Sequence, residues 1–264
     1  MIDLAFPKQC LLCKEPVVDG DFCITCNHKL IRSGNLMHSA CRRCGIPSAS
    51  QTFKDQQNET VARTNPHPSH CIHCKQRDYL WNHLDAMWVY DGLVKDAVVL
   101  SKFQHERSLA SSLGIRLGKL LQRRGRKKPD LITYVPSHFY RRIIRGGEGC
   151  RSVAESVGKT LGVPCRRIVL PRRLVSKQAW LSHKIRNENM RDAFFSTADF
   201  LPLGTRSLSG KHILVVDDVL TSGATINEIC RVLRRLKAGP LSVAVLARSL
   251  PNSSNWRKLE NPNS

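Results

Sequence analysis

The stretch ILVVDDVLTSGAT, residues 213–225, decides the fold. Its four consecutive aliphatics, Ile213 to Val216, read as a strand buried on both faces, as strands of parallel sheets are. The strand is expected to stop at Val216, on two adjacent acids, Asp217 and Asp218. A loop of Thr221, Ser222, Gly223, Ala224 and Thr225 then leads into a helix. Open α/β sheets bind ligands at the carboxyl ends of their strands. The first amide N–H groups of a helix have no internal partner, and with the helix dipole they form an anion site. Gly223 permits tight backbone curvature, and the three hydroxyls add donors, a set that suits a phosphate monoester. The acids would repel a phosphate they faced directly, but one step away they accept hydrogen bonds from sugar hydroxyls. Phosphate and sugar together describe a ribose 5-phosphate. Acids that merely end a strand and cap a turn are the plainer reading, and the following Thr-Ser-Gly-Ala-Thr weighs against it.

The surrounding chain fits the same architecture. AMWVY (86–90) and LITYVP (131–136) read as strands, RIVL (167–170) as a short one, and LSVAVLA (241–247) as the last. Between them lie helical patterns: GLVKDAVVLSKFQ (92–104), residues 107–123 ending in the basic run RRGRKKP, and residues 151–161. After the opening stretch, Ile226, Ile229, Val232, Leu233 and Leu236 share one helical face, and Gly239-Pro240 is expected to stop that helix. Strands alternating with helices predict a mostly parallel sheet covered on both faces.

Before residue 80 the composition is different. Eight of the eleven cysteines form four Cys-x-x-Cys pairs: Cys10/Cys13, Cys23/Cys26, Cys41/Cys44 and Cys71/Cys74. One pair supplies half of a tetrahedral four-sulfur shell, so four pairs can hold two structural zinc ions. The simplest grouping is consecutive, with Cys10, Cys13, Cys23 and Cys26 at one site and Cys41, Cys44, Cys71 and Cys74 at the other. A cross-braced grouping of first pair with third is also compatible with the spacing. A disulfide framework is the rival, but it belongs to secreted domains, and the N-terminus MIDLAFPKQC shows no secretory signal. Cys150, Cys165 and Cys230 stand alone and read as small buried residues. Residues 48–70, polar and without apolar periodicity, are expected to form a loop between the third and fourth pairs. The expected domains are a Cys-rich unit over 1–80, an α/β unit over 81–250, and a disordered tail over 251–264.

With 42 Lys plus Arg against 21 Asp plus Glu, the formal net charge is +21. A field of that sign draws polyanions, so nucleic acid or a phosphate-rich ligand is the expected partner. No apolar run nears the ~18 residues that a membrane span requires. A cytoplasmic protein of 264 residues is expected, with 41% apolar residues for its core.

Four apolar residues, Asp-Asp, two more residues and T-S-G-x-T resemble the phosphoribosyl diphosphate (PRPP) signature of type I phosphoribosyltransferases. The order of segments narrows the likeness. The Cys pairs, YDGLVKDAVVLSKFQ (90–104), YVPSHFYRRIIRG (134–146), SKQAWLSHKIRNENMRDAF (176–194) and the Asp-Asp motif together resemble the ComF family of competence proteins over essentially the whole chain. Matching positions include Lys102, Phe103, Val135, Pro136, His138, Arg141, Arg145, Gly146, Gln178, Leu181, Ser182, Arg186, Asn189, Arg191 and Phe194. The resemblance implies a type I phosphoribosyltransferase-like sheet preceded by a double zinc ribbon. It implies that Asp217 and Asp218 bind the ribose 2′ and 3′ hydroxyls, that residues 221–225 hold the 5′-phosphate, and that magnesium bridges diphosphate and sugar. One segment departs: where the family reads Arg-Gly-Phe-Asn-Gln, this chain reads RGGEG at 145–149, with Glu148 in place of an amide.

Loss of diphosphate leaves an oxocarbenium-like sugar and a highly charged leaving group, which positioned cations stabilise. His138, Arg141, Arg142 and Arg145, after the 131–136 strand, are the candidate diphosphate contacts. Lys177, Gln178 and Arg186 are candidates to reach inward from a cover over 172–191. No general base stands out, so the catalytic residues stay unassigned. The leading expectation is a protein that binds PRPP with magnesium and acts in DNA uptake or processing, with single-stranded DNA and competence or DNA-processing proteins as partners. The other readings are an active phosphoribosyltransferase with a nitrogenous acceptor, and a regulatory sensor of PRPP.

Overall fold

The computed structural model describes residues 7–47, 71, 73–75, 77–136, 148–171, 193–197 and 208–250. The centre of the fold is a four-stranded sheet, all parallel. Its strands are β1 (His83–Val89), β2 (Leu131–Tyr134), β5 (Ile213–Leu220) and β6 (Leu241–Arg248), in the order β1-β6-β5-β2. A separate antiparallel pair joins β3 (Val169–Pro171) to β4 (Phe194–Ser196). The strand expected near 167–170 therefore exists but stands outside the parallel sheet.

Helices cover both faces, as buried parallel strands require. Helices α2 (Gly92–Leu100), α3 (Arg107–Arg123) and α4 (Gly149–Leu161) contribute Val94, Leu113, Leu117, Val153 and Val157 to one core, together with Leu214 and Val216 of β5. Helix α5 (Ala224–Arg235) contributes Ile226, Ile229, Val232 and Leu233 to the other, with Ile213 and Val215. The Cys-rich segment feeds both cores. Cys10, Phe22, Cys26 and Leu30 join the first, and Cys44, Cys74, Tyr79 and Trp81 join the second. Helix α1 (Ile24–Asn35) packs against β1 and α2, and the Cys23 sulfur caps it by accepting from the Cys26 N–H.

Three boundaries differ from the sequence reading, each for a local reason. β5 does not stop at Val216: Asp217, Val219 and Leu220 stay in register with Val245, Ala247 and Arg248 of β6. On its other side β5 pairs with β2 only over Ile213–Val216, so its last four residues outrun that neighbour. Helix α5 ends ahead of Gly239, because Lys237 takes the left-handed conformation that closes it, with φ 59°. Helix α2 stops at Leu100, and a turn through Ser101 and Lys102 separates it from a short 3-10 segment, Gln104–Glu106. Among the described residues no helix is long and apolar enough to cross a membrane.

β2 and β5 are neighbours, yet the helices that follow them, α4 and α5, lie on opposite faces. Such a reversal opens a crevice outside the carboxyl ends of the two strands. The final residues of β5 stand at that crevice.

Candidate functional site

Asp217 and Asp218 occupy consecutive positions in the overhanging end of β5, each partly exposed. The Asp218 N–H donates to Asp217 Oδ1 at 2.8 Å, which fixes the first carboxylate against its own backbone. Burial, and then the negative charge of Asp218, push the Asp217 carboxyl well above the usual carboxylate range. Lys102 answers that charge: its Nζ lies 2.7 Å from Asp218 Oδ2. Cys150, at the start of α4, lies beneath the pair and donates to the Val216 carbonyl at 3.3 Å. Its thiol is raised by burial and then by both aspartates, which keeps it protonated.

The loop after β5 turns at Gly223, whose φ of 85° precedes the first residue of α5. Ser222 Oγ accepts from the Ala224 N–H at 3.4 Å. Thr221 is exposed, Ser222, Ala224 and Thr225 are partly exposed, and Gly223 is buried. Its burial has a specific cause: a Cβ there would come within 2.8 Å of the Trp81 ring and 3.0 Å of Tyr79. These rings stack at 4.2 Å and form the floor of the loop. The partly exposed acids 217 and 218 thus lead, through Val219 and Leu220, into a loop of hydroxyls and helix-start amides. The amides attract an anion, and the acids accept from neighbouring hydroxyls.

Sequence reasoning left four contributors unassigned. Lys102 was visible only as a family-matching position, and its proximity to Asp218 depends on how α2 folds back over β5. Arg77 donates to the Ser222 carbonyl at 3.4 Å, and the Asn227 side chain bonds Leu80 N–H and Asp78 C=O, each at 2.8 Å. Arg248 was hidden at the end of a strand that is buried throughout. A charged residue closing an apolar run was the available signal. His138, Arg141, Arg142, Arg145, Lys177, Gln178 and Arg186 lie outside the described residues.

The departing RGGEG segment is described from Glu148 onward. Glu148, immediately before α4, pairs with Arg167, whose Nε donates to the Tyr134 hydroxyl at 3.1 Å. Gly149 then presses on the α2 turn, where a Cβ would collide with the Ser101 carbonyl and come within 2.9 Å of Lys102 Cα. The glycine therefore sets the position of the backbone that carries Lys102.

The eight paired cysteines form two clusters, grouped consecutively: Cys10, Cys13, Cys23 and Cys26, and Cys41, Cys44, Cys71 and Cys74. Within each, the sulfurs lie within 4.8 Å of one another. Sulfur separations of 3.6 Å (Cys13–Cys23), 3.9 Å (Cys41–Cys74), 3.4 Å (Cys44–Cys71) and 3.7 Å (Cys71–Cys74) match a small tetrahedron. Four sulfurs at about 2.3 Å from zinc would be about 3.8 Å apart. The donor set and spacing fit zinc, and the cross-braced alternative is excluded. In the second cluster, the hydrogen bond with Cys44 holds Cys41 down to about 4, while Cys44 itself is pushed up. Thiols crowded in this way share protons, which a bound cation displaces.

Comparison with known proteins finds two families, one at each end of the chain. Residues 1–63 match the double zinc ribbon domain family, and residues 148–260 match the phosphoribosyl transferase domain family. DNA utilization protein YhgH of Salmonella typhimurium is 28% identical over 255 residues, covering 94% of this chain and 100% of that protein. Competence protein F of Haemophilus influenzae is 25% identical over 239 residues, covering 86% of this chain and 96% of its own. Among solved structures, the glutamine PRPP amidotransferase from B. subtilis complexed with ADP and GMP aligns at a TM-score of 0.35 and 22% identity. That alignment covers 52% of this chain and 26% of the other.

Two outcomes follow from this geometry. Metal analysis of freshly purified protein will find two zinc equivalents per chain, falling to one when Cys41 and Cys44 are both changed to Ser; disulfides in place of metal would refute the clusters as zinc sites. Gly223→Ala will destabilise the protein by about 1–3 kcal/mol, from left-handed strain alone, with the ring collision in addition. Urea unfolding measures it, and an unchanged midpoint would show that the loop relaxes freely.

Proposed function

We propose that this chain, which matches the double zinc ribbon and phosphoribosyl transferase domain families and is similar to Competence protein F, is a ComF-like protein that binds PRPP with magnesium at the β5–α5 junction and acts in DNA uptake or processing. The observation that carries the reading is the run of two acids, a turn at Gly223 and a helix start at the carboxyl end of a central parallel strand. Asp217 and Asp218 accept from the ribose hydroxyls, and residues 221–225 donate to the 5′-phosphate. Magnesium, when bound with the ligand, neutralises charge on the diphosphate. Lys102 is suited to leave Asp218 for the diphosphate as the sugar hydroxyls arrive. His138, Arg141, Arg142 and Arg145 remain our candidates for the diphosphate, and Lys177, Gln178 and Arg186 for the cover.

The DNA half of the proposal draws on the net charge of +21 and on the relatives' names, DNA utilization protein and competence protein. A second reading, in which PRPP is sensed and not consumed, is favoured by one observation. The site's best-placed ionisable groups are engaged with each other: Asp217 with the Asp218 backbone, and Asp218 with Lys102. Acceptor-dependent release of diphosphate would decide for an active transferase over a sensor.

Calorimetry tests the ligand. Wild-type protein will bind PRPP with magnesium, and Asp217→Asn combined with Asp218→Asn will weaken binding at least tenfold. The variant will melt no lower than wild type without ligand, because the change removes like-charge repulsion from a half-buried pair. Equal affinity in the two proteins would defeat the assignment. For DNA, affinity for single-stranded oligonucleotides will fall steeply between low and moderate salt, as counterion release dictates. Binding that is absent, or indifferent to salt, would remove nucleic acid from the account.

A further inference from the structure

The two cysteine clusters are alike in sequence but differ in what they touch. The first packs on the α2–α3 side. Lys14, beside Cys13, pairs with Glu106 at 3.0 Å, and Arg116 of α3 lies 4.5 Å from the centroid of the Phe22 ring. None of these contacts approaches the phosphate loop. The second cluster reaches that loop by two routes.

One route is a buried guanidinium. Arg248, at the end of β6, is 2% exposed. Its Nε donates to the carbonyl of Cys44 at 2.6 Å, and one terminal nitrogen donates to the carbonyls of Leu220 at 2.9 Å and Thr221 at 2.6 Å. A single rigid fork therefore joins the backbone of a metal-ligand residue to the last residue of β5 and the first residue of the loop. By holding those two carbonyls, it fixes the path of the chain into the loop. Lysine, with a point charge on a flexible stem, does not reproduce such a planar arrangement.

The other route runs through Arg43, between Cys41 and Cys44. Its guanidinium donates to the carbonyls of Tyr79 at 2.6 Å, Asn82 at 3.2 Å and Trp81, and Trp81 Nε1 donates back to the Arg43 carbonyl at 3.0 Å. Tyr79 and Trp81 are the two rings against Gly223. The strand of chain leaving the cluster thus becomes the floor of the loop, and Arg77 and Asn227 fasten its edges.

We infer that the second four-cysteine cluster and Arg248 form a strut that holds residues 221–225 in ligand-binding geometry, so that metal at this cluster, and not at the first, sets the affinity for a ribose phosphate. Arg248 is in this account a positioning residue. The inference rests on the proposed PRPP site for its functional consequence, but the strut itself is a statement about the unliganded chain.

The test uses the full chain in four forms: wild type, Cys10→Ser with Cys13→Ser, Cys71→Ser with Cys74→Ser, and Arg248→Lys. Three quantities are read: zinc content, amide hydrogen exchange over 221–225, and affinity for magnesium-PRPP. Loss of the second cluster will speed exchange of the loop and weaken binding by roughly tenfold or more, within the range typical of coupled sites. Loss of the first cluster will remove one zinc and leave both readouts within about twofold. Arg248→Lys will keep both zinc ions yet show faster exchange at 221–225, with the centre of β6 still protected; this separates positioning from general destabilisation. Equal effects from the two clusters, or an unchanged loop in Arg248→Lys, would overturn the inference. Should wild type fail to bind PRPP, the functional proposal falls, while the exchange pattern still decides the strut.

Discussion

Two carboxylates on consecutive residues at the partly exposed end of a buried strand repel each other, and the site is arranged around that repulsion. Like charges on adjacent residues in a partly desolvated site interact more strongly than in bulk water, enough to need an answer within the fold. The chain answers in three ways. Asp217 takes its neighbour's N–H, Asp218 takes Lys102, and the Asp217 carboxyl is raised toward its neutral form by burial and by its neighbour. A ligand rich in hydroxyls with a cation alongside would relieve the same repulsion. The arrangement is thus costly by itself, which is the stability–function trade-off expected of a binding site.

The position of Lys102 links that electrostatic problem to the RGGEG segment, which departs from the pattern the sequence otherwise resembles. Gly149 carries no side chain, and this lets α4 close on the turn that presents Lys102. Glu148 is turned to Arg167, which in turn donates to the Tyr134 hydroxyl. The departure therefore reads as a rearranged support for the site's cation.

Much of this was legible in the sequence. ILVVDD announced a buried parallel strand because four aliphatics in a row suit no half-exposed element. Identical Cys-x-x-Cys spacing announced two metal clusters because two thiols two residues apart can share one ion. What was hidden depends on tertiary approach. The spacing of Asp218 and Lys102 along the chain says nothing of a 2.7 Å contact, and nothing local in Tyr79 and Trp81 places them beneath Gly223. The length of β5 was misjudged for a related reason. Acids are poor strand formers by themselves, but pairing with Val245, Ala247 and Arg248 keeps Asp217 to Leu220 extended. The left-handed Lys237 likewise replaced the glycine that propensity favours for ending a helix.

The metal clusters give a small, cysteine-rich segment enough rigidity to serve as part of two larger cores, and the second of them serves the loop as well. At the centre of the account stands the claim that the β5–α5 junction holds a ribose 5-phosphate. A crystal structure of the full chain with PRPP and magnesium tests it most directly. The account predicts the 5′-phosphate on the amides and hydroxyls of 221–225, the ribose hydroxyls on Asp217 and Asp218, and Lys102 drawn away from Asp218. Ligand density elsewhere on the chain, with the Lys102–Asp218 pair intact, would contradict it.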